Sequence, residues 1–299
     1  MQNQTIRSIL VGVDLAVPEG PDAVLSAAAR LAAALDADLH VVHAVESGPL
    51  APPLLPSLAQ EMEKARSALD LYLDLHLPEG VATASRHVGL GRAHEVLADR
   101  VGAMEIDLVV VGAHREGPMP IVMLGTTVDR LLRTVSVPCW IVRGSVELPI
   151  RRLVTATDFS EMSRRALDWT LDLAHRLGTA TPGDPPVEVD VLHVAWPAAL
   201  RDDPDRERSI LLPNLDTEIA SARHRAGGAQ AVMTHPRVLA AVDPSRGILA
   251  HAAREKPDLI VLGTHGRGSM ARAILGSVAS IVAREAEGDV LLVPPTDRS

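Results

Sequence analysis

The feature that most constrains this chain is an internal repeat. The stretch Ile106 to His114 (IDLVVVGAH) matches Pro257 to His265 (PDLIVLGTH) at an offset of 151 positions. Farther along, Leu124 to Thr126 (LGT) matches Leu275 to Ser277 (LGS) at the same offset. A repeat of this length corresponds to a whole domain, and domains of about 150 residues can each bury their own core. The 299 residues therefore predict two copies of one fold.

The repeat also locates the domain boundary. Early in each copy the offset is smaller, since Asp14 pairs with Asp158 at a distance of 144 positions. A turn-rich insertion, Gly178 to Pro186, has no counterpart in the first copy, and loops absorb such insertions at little cost. We predict the two domains as residues 1–146 and 147–299.

Each copy alternates short apolar runs with longer amphipathic segments. Short runs rich in β-branched residues indicate strands of a parallel sheet covered on both faces. The predicted strands are 6–13, 39–45, 81–88, 106–112, 137–142, 153–156, 187–195, 236–242, 259–263 and 289–293. The predicted helices are 23–35, 58–77, 93–102, 126–133, 160–177, 245–255 and 277–285. One more is predicted inside 206–226, and Pro204 and Pro213 leave its extent open. Five alternating units per copy predict an α/β fold with a doubly wound sheet.

Composition excludes several classes of protein. A formal net charge of -9 opposes general attraction to nucleic acid or to anionic membranes, so neither is an expected partner. The single cysteine, Cys139, excludes an internal disulfide and a cysteine zinc site, and we expect it to be a buried small hydrophobe. No apolar run approaches the length of a membrane span, and the 12 histidines show no metal-binding spacing. The expected location is the cytoplasm, with no metal site.

The candidate site follows from the predicted sheet. In open α/β sheets, ligands bind beyond the carboxyl ends of strands, where the strand order reverses. In the second copy this edge receives Asp158 after the first strand and the loop from Gly263 to Gly268 after the fourth. That loop leads to Gly276 and Ser277 at the start of the last helix, where glycine and helix amides suit a phosphate chain. Ser277 is expected either to donate its hydroxyl to a phosphate or to cap the helix.

The spacing of these residues resembles the universal stress protein family. ATP-binding members carry Gly-x2-Gly-x9-Gly-[Ser/Thr] after the fourth strand, a pattern matched by Gly263, Gly266, Gly276 and Ser277. The Thr-Asp-Phe-Ser context of the family's first strand is similar to residues 157–160, and its Leu-His-Val ending of the second strand is similar to residues 192–194. The resemblance covers nearly the whole chain, twice over.

The resemblance implies a fold and a ligand. It implies that each domain is a five-stranded parallel sheet of order 3-2-1-4-5 flanked by helices, of the adenine nucleotide alpha hydrolase-like type. It implies ATP, with or without Mg²⁺, as the bound cofactor. The implied contacts are Asp158 near the adenosine, the Val194 backbone beside the adenine, and Gly263, Gly266, Gly276, Ser277 and the Val278 backbone around the ribose and phosphates.

The first copy departs from this pattern. Arg115 stands where the second glycine belongs, although the nine-residue spacing to Gly125 is kept. A long side chain there could crowd the phosphate path, or its guanidinium could contact a phosphate. The second-tier candidates in this copy are Asp14, Ala44, Gly112, Gly125, Thr126 and Thr127.

Three functions fit these observations. The first is a nucleotide-binding regulatory protein of the stress response, and the others are a slow ATPase and an interaction scaffold without nucleotide. An enzyme is the minority expectation, because the chain lacks Gly-x4-Gly-Lys-[Ser/Thr] and Gly-x-Gly-x-x-Gly loops. Arg267 would be its candidate for stabilising transition-state charge, while His114 and His265 are expected to shape their loops. We also expect the repeats to pack as an intramolecular pseudo-dimer through their last strands, and pairing of two chains is left open.

Overall fold

The computed structural model describes residues 6–15, 22–46, 55–113, 125–178, 185–197, 204–226, 232–266 and 275–295. These residues divide into two units. Of the described residues, those from 6 to 113 and from 125 to 146 form the N-terminal unit, and those from Glu147 onward form the C-terminal unit.

The N-terminal unit is built around a parallel sheet. Its elements are β1 (Ser8–Gly12), α1 (Ala23–Leu35), β2 (Asp38–Val45), α2 (Leu55–His76), β3 (Ser85–Leu90), α3 (Ala93–Ala103), β4 (Leu108–Gly112), α4 (Thr126–Thr134) and β5 (Cys139–Val142). The strands lie in the order β3-β2-β1-β4-β5, and each of these neighbouring pairs is parallel.

The C-terminal unit repeats the same plan. Its elements are β6 (Arg152–Ala156), α5 (Glu161–Gly178), β7 (Val187–Ala195), α6 (Pro204–Arg225), β8 (Val232–Ala240), α7 (Pro244–Glu255), β9 (Leu259–Gly263), α8 (Ser277–Glu285) and β10 (Asp289–Val293). The order β8-β7-β6-β9-β10 is again parallel throughout. Both units thus have the 3-2-1-4-5 order, and the predicted α/β fold is confirmed.

Aliphatic side chains fill the sheets. Strands β4 and β9 are buried at their first four positions and reach partial exposure only at the final glycine, as expected for central strands covered on both faces. Cys139 is fully buried in β5, and burial raises the pKa of its thiol to about 12. This confirms the expectation of a small hydrophobe, because a buried neutral thiol is a poor nucleophile.

An aspartate before the fourth strand anchors the first strand in each unit. The carboxylate oxygen Oδ2 of Asp107 accepts hydrogen bonds from two backbone amides at the start of β1, at 2.8 and 3.2 Å. In the same way, Oδ2 of Asp258 accepts from two amides at the start of β6, at 2.7 and 2.9 Å. These contacts lie at the edge of the sheet opposite the carboxyl ends of the strands, so they support the scaffold and leave the candidate site to other residues.

Two predicted strands are misplaced at their ends. The strand predicted at 81–88 is Ser85–Leu90, and the one predicted at 236–242 is Val232–Ala240. Both are terminal strands in the order of their unit's sheet. Such strands need no continuous apolar run, and a proline such as Pro236 is tolerated in one because part of its backbone lacks a ladder partner.

The prediction for the second helix of the C-terminal unit is also corrected. Helix α6 runs through Pro213 as one element, and Pro204 stands at its first position, where the missing N–H costs little. The charge pattern of residues 201–208 (RDDPDRER) is typical of a solvated loop, but this interpretation is wrong for residues 204–208, which are helical. Most of the proline-rich stretch 49–56 (PLAPPLLP), whose composition favours a plain connection, lies outside the described residues.

Candidate functional site

The turn after β6 carries the acidic candidate, Asp158. Phe159 has a left-handed backbone with a φ of 63°, which is unusual for a bulky side chain. Its amide donates to the Thr157 hydroxyl at 2.9 Å, and the Ser160 amide donates to Oδ1 of Asp158 at 3.0 Å. The turn is thus held by its own side chains, and it presents the Asp158 carboxylate at the carboxyl end of the sheet.

Gly266 lies directly against this carboxylate. A Cβ atom added at Gly266 would be 2.7 Å from Oδ2 of Asp158, which is closer than real Cβ contacts allow. The loop after β9 can therefore approach the turn after β6 only because residue 266 has no side chain. The two groups that the sequence predicted to meet, one after each strand, are brought together.

The other two motif glycines permit close backbone packing. A Cβ atom at Gly263 would lie 2.9 Å from the carbonyl oxygen of Met162 in α5. A Cβ atom at Gly276 would lie 3.0 Å from the carbonyl oxygen of Thr264, which accepts a hydrogen bond of 2.7 Å from the Gly276 amide. The start of α8 is therefore tied to the end of β9 through backbone atoms.

Ser277 does not cap α8. Gly276 occupies the N-cap position with a φ of -58° and a ψ of 148°, and Ser277 is the first helical residue and exposed. The capping alternative for Ser277 is therefore wrong. Since Gly276 has no side chain to cap the helix, the first amides of α8, including that of half-buried Val278, are placed where an anion would be favoured.

The histidines at the ends of the second strands hold the turns after the first strands. Nδ1 of His193 donates to the Thr157 carbonyl at 2.9 Å, and the His193 and Phe159 ring centroids are 4.7 Å apart. In the N-terminal unit, Nδ1 of His43 donates to the Val13 carbonyl at 3.1 Å. Both histidines thus have a hydrogen-bond partner at the end of their strand.

Val194 and Trp196 lie at the carboxyl end of β7. The Val194 side chain packs near the start of α7, since its Cγ1 would be 3.1 Å from a Cβ atom added at Gly247. Trp196, two residues farther, is 57% exposed, whereas the other two tryptophans, at 140 and 169, are buried. Sequence reasoning passed over Trp196, although an aromatic residue just after a strand of the candidate site was a visible signal.

A buried acid lies beneath the turn. Glu218 of α6 is 7% exposed, and its two carboxylate oxygens are 3.2 and 3.3 Å from the Thr157 hydroxyl, which is also 2.9 Å from that of Ser163. Burial raises the pKa of Glu218, against the lowering effects of the Thr157 hydrogen bond and of Arg164, whose Nε is 3.6 Å away. Sequence reasoning missed Glu218. The available signal was an acid on the apolar face of a helix, beside Ile219.

His265 has one satisfied and one unsatisfied ring nitrogen. Its Nδ1 lies 2.8 Å from the hydroxyl of buried Thr264. Its Nε2 is buried and has no hydrogen-bond partner among the described residues. A buried polar atom of this kind normally has a partner, so water or a ligand is expected at Nε2.

In the N-terminal unit, the residues equivalent to the phosphate loop are partly described. A Cβ atom at Gly112 would lie 2.8 Å from Cγ2 of Val24, a side-chain atom. Gly125 is the N-cap of α4 with a φ of -57° and a ψ of 147°, nearly the geometry of Gly276. Thr126 and Thr127 open that helix. The loop backbone at the start of the last helix is therefore alike in the two units.

The remaining N-terminal candidates are less connected. Asp14 follows β1 and is exposed, and Ala44 lies in β2, paired in register with Gly89 of β3. His114 and Arg115 lie outside the described residues, as do Arg267 and Gly268 of the second copy. The approach of Gly266 to Asp158 therefore has no described counterpart in this unit.

Metal and membrane signals are absent from the described part of the chain. No cluster of three or more His, Cys, Asp or Glu side chains suited to a metal ion occurs among the residues that the structure describes. Within the same residues, no helix combines the length and apolar character needed to span a membrane.

Comparison with known proteins gives the class of this chain. The model of the universal stress protein family matches residues 5–143 and again residues 149–294, so the chain belongs to this family and carries its domain twice. A universal stress protein of Mycolicibacterium smegmatis is 29% identical over 322 residues, covering 99% of both chains.

The fold is shared with a solved structure that covers the whole chain. A universal stress protein from Archaeoglobus fulgidus superposes with a TM-score of 0.69 at 19% identity, covering 99% of both chains. A universal stress protein crystallised in complex with cAMP is 25% identical and covers 50% of this chain and 99% of its own, with a TM-score of 0.36.

Proposed function

We propose that the chain is an ATP-binding universal stress protein that acts as a nucleotide-responsive regulator of the stress response, with its better site in domain 147–299. The observation that carries the proposal is the approach of Gly266 to the Asp158 carboxylate, 2.7 Å from an added Cβ atom. The glycine at position 266 is therefore needed for the loop to pack against Asp158, in addition to matching the family's spacing. A cytoplasmic location belongs to the same proposal, because a chain with one cysteine suits a reducing compartment.

The chemistry of the residues orients the nucleotide. The phosphates belong at the start of α8, with the amides of Ser277 and Val278, because unpaired helix amides and the helix dipole favour negative charge. The Gly276 amide is bonded to the Thr264 carbonyl, so Gly276 contributes by the absence of a side chain. A carboxylate repels phosphate and accepts from hydroxyls, so Asp158 belongs at the ribose. The adenine then lies toward the Val194 backbone, and Gly263 and Gly266 allow the loop backbone to approach the ligand.

His265 gains a role in this arrangement. Its Nε2 is buried and lacks a partner among the described residues, in the loop that the nucleotide would contact. An oxygen atom of the nucleotide or of a bound water would satisfy it. Mg²⁺, where it accompanies ATP, would be held by the phosphates and water, because Mg²⁺ commonly binds through substrate phosphates and few protein carboxylates.

The N-terminal domain, residues 1–146, is proposed as the weaker site. Asp14, Ala44, Gly112, Gly125, Thr126 and Thr127 are its proposed contacts. Arg115 replaces the glycine that in the other unit lies against the acid, so the same ligand pose is disfavoured.

The test is the identity and stoichiometry of the bound ligand. Mass spectrometry of material released from purified protein is expected to show an adenine nucleotide, and calorimetry with ATP is expected to give one site per chain. Fluorescence offers a second signal, because Trp196 is exposed at the strand end beside Val194 while the other tryptophans are buried.

Each other outcome has a defined meaning. Two sites per chain would overturn the asymmetry, and binding of cAMP in preference to ATP would overturn the choice of ligand. No binding of any adenine nucleotide would overturn the function in favour of a scaffold. Formation of ADP above a no-protein control would replace the regulator with the slow ATPase.

Assembly forms a separate part of the proposal. We propose that the two domains pair within one chain as a pseudo-dimer, since a surface that mates between identical subunits can also mate between repeats. Light scattering would give a mass near 31.8 kDa if pairing is internal only, and twice that mass if two chains also form a homodimer.

A further inference from the structure

Glu218 is a buried acid without a role in the proposed ligand contacts. Its side chain is 6% exposed, and both of its carboxylate oxygens lie within 3.3 Å of the Thr157 hydroxyl. That hydroxyl accepts from the Phe159 amide at 2.9 Å, so its single proton remains for donation to an acceptor. Two acceptors reach Thr157 from neighbouring helices: the Ser163 hydroxyl of α5 at 2.9 Å and the Glu218 carboxylate of α6. Glu218 is the one that carries a charge.

We propose that Glu218 is a positioning residue of the nucleotide site, acting through Thr157 on the turn that presents Asp158. The proposal rests on the proposed function and deepens it. Thr157 holds the left-handed backbone of Phe159, and the residue after Phe159 donates its amide to Asp158. A left-handed backbone is disfavoured for a bulky residue and needs such support.

The same contacts fix the place of helix α6. Arg164 of α5 lies 3.6 Å from Glu218, and Arg225 of α6 pairs with Asp168 of α5, with Nε 3.0 Å from both carboxylate oxygens. Helix α6 is therefore held against α5 at two points, of which only Glu218 reaches the turn. A change at Glu218 should alter ligand binding more than it alters the packing of the helix.

The charge on Glu218 provides a signature of this role. The charged groups that act on it are Asp158 of the turn, Arg164 of α5 and Arg225 of its own helix. Burial raises the pKa of Glu218, and the negative charge of a nucleotide bound in the same site would raise it further. The protonated form then binds the nucleotide better, so affinity should fall as pH rises through the pKa of Glu218.

Calorimetry with ATP across pH 5.5 to 8 tests the proposal on the full chain. Glu218→Ala should weaken binding about tenfold, the effect of removing one of the two hydrogen-bond partners that hold the buried Thr157 hydroxyl. Glu218→Gln keeps an acceptor for Thr157 and should retain the affinity. The titration of the nucleotide affects wild type and Glu218→Gln alike. The difference between their pH profiles of affinity therefore reports the titration of Glu218. Asp216→Asn makes the same charge change at an exposed position of the same helix, and should leave affinity and pH profile as in wild type.

The outcomes separate this proposal from the function on which it rests. If wild type binds no nucleotide, both the proposed function and the role of Glu218 are overturned. If wild type binds ATP but Glu218→Ala binds equally well, or Glu218→Gln keeps the full pH dependence, only the role of Glu218 is overturned. Should Glu218→Ala fail to fold, Thr157→Val decides: a comparable loss of affinity supports the positioning role, and unchanged affinity refutes it.

Discussion

The two units hold the turn before their first helix in opposite ways. In the N-terminal unit, Tyr72 of α2 donates its hydroxyl at 2.5 Å to Asp22, which caps α1 through the amides of residues 24 and 25. In the C-terminal unit, the equivalent second helix supplies the acid, Glu218, and the turn supplies the hydroxyl, Thr157. The second helix is thus the hydrogen-bond donor in one unit and the acceptor in the other, at residues that do not correspond in the repeat.

The glycine that ends the fourth strand shows a second contrast. At Gly263 the nearest atom to an added Cβ is a backbone carbonyl oxygen of Met162, whereas at Gly112 it is a side-chain methyl of Val24. Backbone packed in a helix moves less readily than a side chain. The difference teaches that the end of β9 is constrained by backbone geometry, while the end of β4 is constrained by one replaceable side chain.

The largest expected effect is on ligand binding. Gly266→Arg copies into the C-terminal loop the residue found at Arg115, at a place where even a Cβ atom would be 2.7 Å from Asp158. ATP affinity should fall about 100-fold or more, which corresponds to about 2.7 kcal/mol. Calorimetry measures it, with Gly144→Arg as a control that adds the same charge at a glycine with no atoms within 4 Å of an added Cβ. Unchanged affinity would show that arginine is compatible with the site and would end the asymmetry.

A smaller effect is expected on stability from the paired glycines. Gly263→Ala should lower the free energy of unfolding by about 2 kcal/mol, within the usual range for overpacking. Gly112→Ala should cost about 1 kcal/mol, and combination with Val24→Ala should recover part of that loss by removing the clashing methyl. Urea unfolding of the four proteins checks both statements. Equal costs for the two single variants would remove the distinction between backbone and side-chain constraint.

The sequence predicts the bounds of a helix or strand well where neighbouring residues along the chain define them. Strands β7, β9 and β10 and helices α1 and α8 have the bounds predicted for them, because apolar runs end there at glycine, proline or charged residues. The terminal strands β3 and β8 mix polar and apolar residues, so their limits depend on pairing with a neighbour.

Some residues of the candidate site could be predicted from the sequence, and others could not. The glycine spacing and Asp158 could be predicted, since each follows a recognisable strand. The supporting contacts could not, because Glu218 and Thr157 are 61 positions apart and Tyr72 and Asp22 are 50 apart. Only the packing of the second helix brings these pairs together, and amphipathic periodicity does not specify which of its polar residues will be buried.

The scaffold contacts should behave alike in the two units. Asp107→Ala and Asp258→Ala each remove an oxygen that accepts from two strand amides, so each should cost about 1 kcal/mol of unfolding free energy. Asp→Asn at either position keeps an acceptor and should cost less. Hydrogen exchange of the amides of residues 8 and 152 reports each site separately. A large difference in unfolding free energy between the two alanine variants would show that the aspartate contact does not support the two units equally.

The smallest expected effect is at Tyr72. Tyr72→Phe removes the hydroxyl bound to Asp22 and should cost about 0.5 to 1 kcal/mol, the net value of one hydrogen bond. Burial raises the pKa of Tyr72, and the neighbouring Asp22 and Asp14 raise it further. Because this folded pKa lies above the unfolded value of about 10, the contribution is complete below pH 10 and is lost as pH rises above it.

Tyr72 is the only tyrosine in the chain, so the ultraviolet absorbance of phenolate reports this group alone. Thermal melts between pH 8 and pH 11 should show wild type losing more stability than Tyr72→Phe above pH 10. Phenolate formation near the ordinary tyrosine pKa in the folded protein would contradict the buried contact. The reversed arrangement at Glu218 responds at the opposite end of the pH scale: its raised pKa favours folding at low pH, and that contribution is lost as pH rises through the folded pKa. Glu218 is therefore already ionised at the pH where Tyr72 begins to titrate, so the alkaline loss of stability reports Tyr72 separately.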